Sequence, residues 1–216
     1  EAGSKATAGK YAEMFRFNPG KQRAAYPAYN SYTISKCNVC SKNDLKLAKK
    51  PSNELCAACK IIREQAKFIP EHTEKGELRV HLAHGEGERA ENIRIARYFT
   101  DRYGQEIDLL PRSNTEKCAD AYNRTLKQLQ EYKQNSTPTK NAIDAALRDA
   151  NQKADHAVLL VSSDISEGDL TRGIKGRMLQ AKRLQTVTIV KDGKDVVYTK
   201  EQILQKGFKA SWADLK

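Results

Sequence analysis

The sequence predicts an α/β protein, a mixed sheet of the α+β kind with element order α-β-β-β-α-β, preceded by a small segment organised by four cysteines. Three observations carry this prediction. Apolar residues recur at helical spacing in three stretches of the second half, and at strand spacing or in short continuous runs between them. Gly, Pro and Ser/Thr clusters punctuate those stretches. Two Cys-x-x-Cys pairs stand in the first third, where no hydrophobic period persists.

Taken in order, residues 1–35 read as an irregular arm in which Gly, Pro, Ser and Tyr recur. Residues 37–62 carry the paired cysteines. A connector follows over 63–87, with a short strand at "ELRVHLA". The Gly-rich "HGEG" at 84–87 marks a boundary, so the expected domains are 1–83 and 84–216. "ERAENIRIARYFTDRY" is a helix with Ile95, Phe99 and Tyr103 four apart and Gly104 as its stop. "QEIDLLP" is a strand ended by Pro111, and "ADAYNRTL" with "QLQEYKQ" are two strands around a turn. "TPTKNAIDAALRDANQKA" is a second helix, capped by Thr137 or Thr139, with Pro138 near its first turn. "HAVLLVSS" is apolar throughout, as a strand buried on both faces must be. "EGDLTRGIKGRMLQAKRL" is a third helix weakened by Gly173 and Gly176, and "QTVTIVKDGKDVVYT" is a hairpin around Asp192-Gly193.

Composition narrows the function classes. Of the 216 residues, 39% are hydrophobic, enough for a core, yet no run approaches the ~20 apolar residues of a membrane span. No signal peptide opens the chain, and Glu1 in place of Met points to a piece of something longer. The net charge is +11, divided as +7 over residues 1–85 and +4 over 86–216. An acid-free run, "LTRGIKGRMLQAKRLQTVTIVK", offers Arg172, Lys175, Arg177, Lys182 and Arg183 as nucleic-acid-binding candidates. A solvated basic face is the plain alternative.

Cys37, Cys40, Cys56 and Cys59 follow a C-x2-C-x15-C-x2-C spacing. Two residues between thiols let both sulfurs reach one ion, and two such knuckles complete a tetrahedral shell. Zn2+ in such a closed site is structural, and its binding supplies folding energy that a segment this short lacks. Two disulfides or unpaired thiols are the alternatives. His81 and His84 are lesser metal candidates, because four thiolates already fill the shell. Cys118 stands apart as a small half-buried residue. Cysteine usage of this kind fits a reducing compartment rather than a secreted disulfide framework.

The second constellation is Asp120, ten residues, then Glu131-Tyr132-Lys133. On a strand, Glu131 and Lys133 share a face and Tyr132 takes the other. A neighbouring strand brings Asp120 beside them. Two carboxylates at one point repel unless a cation lies between them. Mg2+ or Mn2+ suits oxygen ligands, lowers the pKa of bound water and stabilises charge on a phosphoryl oxygen. Lys133 then orients the nucleophilic water or offsets developing charge. An exposed ion pair on a hairpin is the alternative.

Asp, ten residues, then E-x-K, on the second and third strands of an α-β-β-β-α-β order, resembles the PD-(D/E)xK nuclease core. Ala119 stands where that family has proline. The resemblance implies a helix acid, with Glu91 first and Glu88 one turn earlier. The stretch "GERAENIRIARYFTDRYGQEIDLLP", "EYK" and "AIDAALRDANQKADHAVLLV", within residues 84–200, is similar to the C-terminal tRNase toxin domain of contact-dependent growth inhibition proteins. That similarity adds Lys140 and Gln152 as secondary site candidates and implies tRNA as substrate. It also implies action in a bacterial cytoplasm and a cognate immunity protein, an acidic partner for a basic active face. "FRFNPGKQRAAYPAYNSYTISKCNVC" with "NELCAAC" is similar to the tail of Mu-like phage head morphogenesis proteins. Delivery into a target cell or carriage in a phage-like particle follows from these two resemblances. Two further readings stand beside the RNase: a DNase of the same core, acting on phage or mobile-element DNA, and a non-catalytic, zinc-stabilised phage-head or nucleic-acid-binding protein.

Overall fold

A computed structural model describes residues 65–113 and 117–216. Cys37, Cys40, Cys56 and Cys59, with the arm before them, lie outside the described residues.

Eight strands form one mixed sheet in sequential order: β1 (Phe68–Glu71), β2 (Glu77–His81), β3 (Glu106–Leu109), β4 (Ala121–Asn123), β5 (Gln128–Asn135), β6 (His156–Val161), β7 (Thr186–Lys191) and β8 (Lys194–Thr199). Helix α1 (Glu86–Tyr103) lies between β2 and β3, α2 (Lys140–Lys153) between β5 and β6, α3 (Glu167–Gln180) between β6 and β7, and α4 (Lys200–Leu204) follows β8. Each long helix joins two parallel strands, β2 to β3, β5 to β6 and β6 to β7. The remaining ladders between β3 and β8 are antiparallel. No helix among the described residues is long and apolar enough to cross a membrane.

The α-β-β-β-α-β order read from the sequence is present as α1-β3-β4-β5-α2-β6. The sheet extends across the expected boundary at 83/84. β2 pairs in parallel with β3, so the sheet begins before His84, and the compact unit that holds it runs Pro70–Lys216. Sequence reading misses this because a five-residue strand has no local sign of its distant partner.

Strand alternation sorts the core into two layers. Ala157, Leu159 and Val161 of β6 pack with Ile143, Leu147, Leu170 and Ile174 of α2 and α3. The intervening Val158 packs with Ile95 and Phe99 of α1, and with Leu78, Ile107 and Tyr132. Helix α1 therefore covers one face, and α2 and α3 the other. From Ala157 to Val161 β6 is apolar because both its faces are packed and both its edges are paired.

Local chemistry explains the ends. Gly104 stops α1 in the left-handed conformation, at φ 66°. Of the two candidate threonines, Thr139 caps α2, its hydroxyl accepting from the Ala142 amide, so Pro138 precedes the cap. Asp192 and Gly193, at φ 51° and 72°, make the two-residue turn between β7 and β8. Gly173 has a packing reason: a Cβ there would meet Ile143 Cβ at 2.8 Å and the Lys140 carbonyl oxygen at 2.9 Å, so α3 approaches α2 closely. Tyr103, four residues after Phe99, falls off the buried stripe of Ile95 and Phe99. It is exposed, and its hydroxyl donates to Asp195, as does that of Tyr98.

Candidate active site

β5 outruns β4. The antiparallel ladder pairs Asn123 with Gln128 and Ala121 with Gln130, then stops. Asp120 falls one residue ahead of β4, at a bend rather than on the strand, and the same register sets it opposite Glu131. Its place is fixed twice: the Tyr132 amide donates to Asp120 Oδ2 at 2.9 Å, and the Asp120 carbonyl accepts from the Leu110 amide at 2.9 Å. Tyr132 points into the α1 layer. Glu131 and Lys133 point the other way, towards α2, as strand alternation requires.

There Glu131 is fully buried and meets two ammonium groups. Lys133 Nζ lies 2.7 Å and Lys153 Nζ 2.8 Å from its Oε1. Both lysines also reach Asp149 Oδ2, at 2.6 and 3.0 Å. The four side chains close a ring of alternating charge. Oε2 of Glu131 stands outside the ring, buried without a hydrogen-bond partner. Burial, then the charge of Asp120, pushes the Glu131 carboxyl up to about 7 against the pull of the lysines. Burial likewise raises Asp120, although the Tyr132 amide and Lys133 oppose it. Burial pulls Lys133 and Lys153 down, but their acidic partners outweigh it, and both end above the ordinary lysine value. Both are ammonium ions at neutral pH.

Asp149 and Lys153 escape sequence reasoning. Their signal is an i,i+4 acid–base pair beside the Ile143-Leu147-Ala150 stripe of α2. Such pairs are common on solvated helices. Only the β5–α2–β6 crossover brings this one onto Glu131.

Asp120 and Lys153 line a cavity of about 150 Å³, with His84, Glu88, Arg112 and Lys117 around it. Arg112 runs over Gly85, where a Cβ would meet its Cδ at 2.9 Å, and reaches Glu88 at 3.5 Å. Of the two helix acids, Glu88 is the one beside this cavity; Glu91 lies outside its lining and pairs with Arg94 at 3.8 Å. Half-buried Cys118 lines the cavity as well.

His84 is committed elsewhere. Its Nδ1 lies 2.6 Å from the Leu110 carbonyl oxygen, which only an N–H can satisfy, so Nε2 accepts from Asn92 Nδ2 at 3.0 Å. That is the neutral tautomer, and burial lowers its pKa in agreement. His84 ties the start of α1 to the end of β3. Nδ1 of His81 accepts from the Ala83 amide.

The other sequence candidates are dispersed. Gln152 accepts a hydrogen bond from Lys117 at the cavity rim. Lys140 opens α2, roughly 20 Å along the helix axis from Lys153 at 1.5 Å per residue. In the basic run, Arg172 pairs with Asp169 and Lys175 donates to the Gln205 carbonyl. Arg177 forks onto Asp144, and Arg183 pairs with Asp155. Lys182 is exposed. Three of the run's six cations are therefore paired with acids.

Among the described residues no group of three or more His, Cys, Asp or Glu side chains is arranged to hold a metal ion. A hard divalent cation would rest on Asp120 and Glu131, with water in its other positions, as Mg2+ sites often have. The donors fit: two oxygen ligands that repel each other, Asp120 lining an open cavity and Glu131 carrying an orphaned buried oxygen.

No protein-family model matches the chain. No curated protein matches it. Among solved structures, the chain is similar to a CdiA-CT/CdiI toxin and immunity complex from Burkholderia pseudomallei, with 13% sequence identity and a TM-score of 0.40, over 51% of this chain and 83% of that chain. A likeness of this extent carries no argument about site or activity.

Proposed function

We propose that this chain is a metal-dependent endonuclease whose phosphodiester chemistry takes place at Asp120, Glu131 and Lys133. The observation behind the proposal is the pairing of two carboxylates across the β4–β5 register, one lining an open cavity and the other buried with an oxygen left over. A purely structural ion pair has no need of a second acid that raises the first one's pKa. Asp120 and Glu131 would hold a Mg2+ or Mn2+ ion, which supplies an acidified water and a Lewis acid for the phosphoryl oxygen. The Tyr132 amide orients Asp120, and Lys133 offsets the charge of Glu131.

The preference for tRNA, the toxin role, action in a bacterial cytoplasm and an acidic immunity protein rest on the sequence resemblance. So do a helix acid from Glu88 or Glu91, and Lys140 and Gln152 as accessory residues. The structural zinc on Cys37, Cys40, Cys56 and Cys59 rests on their spacing.

Incubation with total tRNA, other RNA and plasmid DNA, in Mg2+, Mn2+ or EDTA, tests the proposal. Metal-dependent cutting is expected, falling at least ~100-fold in Asp120→Ala and Glu131→Ala proteins that retain their fold. Cutting of plasmid alone would make the enzyme a DNase. A folded, zinc-loaded protein that cuts nothing, or a Glu131→Ala variant with full activity, would overturn the site.

A further inference from the structure

We infer that Lys153, from the last turn of α2, is the cation that meets the substrate's phosphate, with Asp149 positioning it and Lys133 serving the carboxylates. This rests on the nuclease reading and assigns a role inside it.

The two lysines look equivalent from Glu131 alone, since both lie within 3.0 Å of the same two acids. The cavity separates them. Lys153 lines it beside Asp120, whereas Lys133 does not. An ammonium carries three N–H donors. Glu131 and Asp149 engage two of those on Lys153, leaving one for an incoming anion. Three cations line the cavity, Lys153 among them, against two acids. Lys117 lies at its rim on Gln152, and Arg112 forms another part of the wall. Of its two lining acids, Glu88 is paired with Arg112, and Asp120 accepts from the Tyr132 amide.

Local charge balance agrees. Lys133, Lys153, Glu131 and Asp149 cancel as a ring. A phosphodiester brings one further negative charge, and the ring member able to receive it is the one exposed to the cavity. Asp149 is 43% exposed and four residues before Lys153, so it can hold the lysine in place without drawing it out of the cavity.

The test uses the whole chain and two readouts. Inorganic phosphate is titrated in EDTA at low ionic strength, followed by amide chemical shifts of the residues lining the cavity. Lys153→Gln is expected to weaken phosphate about tenfold or more, Lys153→Arg to restore much of it, and Lys133→Gln to leave it within about threefold, a charge-assisted hydrogen bond setting the scale. Asp149→Asn should fall between them. Cleavage kinetics give the second readout. Lys153→Gln should lose kcat while Mn2+ affinity does not fall, because Lys153 is not a ligand. No phosphate shifts at the cavity, or shifts abolished by Lys133→Gln and kept by Lys153→Gln, would overturn the inference. So would cleavage by Lys153→Gln at the wild-type rate, with the nuclease reading intact. Phosphate binding dependent on Lys153 in a protein that cuts no nucleic acid would instead support the anion site and remove the nuclease reading.

Discussion

Replacing Glu131 by Gln should stabilise the metal-free protein, and more so at alkaline than at acid pH. The side chain is fully buried, its Oε2 has no partner, and burial with the nearby Asp120 moves its carboxyl from 4.5 to about 7. An acid with a raised folded-state pKa binds more protons folded than unfolded between those two values. Its contribution to stability is therefore fully present below pH 4.5 and is lost as pH rises through 7. At pH 8 the ionised carboxylate costs about 3 kcal/mol relative to a neutral group, and at pH 5 about 1 kcal/mol. Gln keeps the shape and never ionises. Its gain over wild type should exceed that at pH 5 by roughly 2 kcal/mol at pH 8, or roughly 4–8 °C in Tm for a unit of this size. Urea unfolding in EDTA at the two pH values measures it. Equal gains at both, or a larger gain at pH 5, would refute the picture of a carboxylate ionising at a cost inside the fold. Adding Mn2+ at pH 8 should close most of that gap. A cation at 100 times its Kd stabilises wild type by about 2.7 kcal/mol, and the Gln variant by far less.

Two glycines of α3 should respond with opposite sign. Gly173→Ala drives a Cβ into Ile143 and should cost about 1–3 kcal/mol. Gly176→Ala meets nothing within 4 Å and should gain about 0.5–1 kcal/mol from helix propensity. Both are read from thermal melts, and equal shifts would contradict the close approach of α3 to α2. Thr139→Ala removes the hydroxyl that accepts from the Ala142 amide and should cost about 1 kcal/mol by urea unfolding, whereas Thr137→Ala should change little.

Much of the fold is legible in local pattern. The apolar run of β6, the Gly104 stop and the Asp192-Gly193 turn each follow from backbone geometry over a few residues. Tyr103 was less legible: helical spacing placed it inward, but at the last turn of α1 its ring reaches past the core to Asp195. β2 is less legible because its membership depends on β3, some thirty residues away. At the candidate site, the spacing of Asp120, Glu131 and Lys133 was readable, and Lys153 was not. A lysine at a helix end carries no mark of which carboxylate it will meet.

Local pattern along the chain sets the order of elements, the shared face of Glu131 and Lys133, and the opposite face of Tyr132. Those follow from repeats of 2 and 3.6 residues, which any strand or helix must obey. Long-range packing places Asp120 ahead of β4 on the Tyr132 amide, buries Glu131 with an unpartnered oxygen, and sets Lys153 rather than Lys133 in the cavity lining. These depend on where β4 ends against β5 and on how the crossover through α2 returns to β6. Chain closure over twenty or more residues sets those distances, and no local period encodes them.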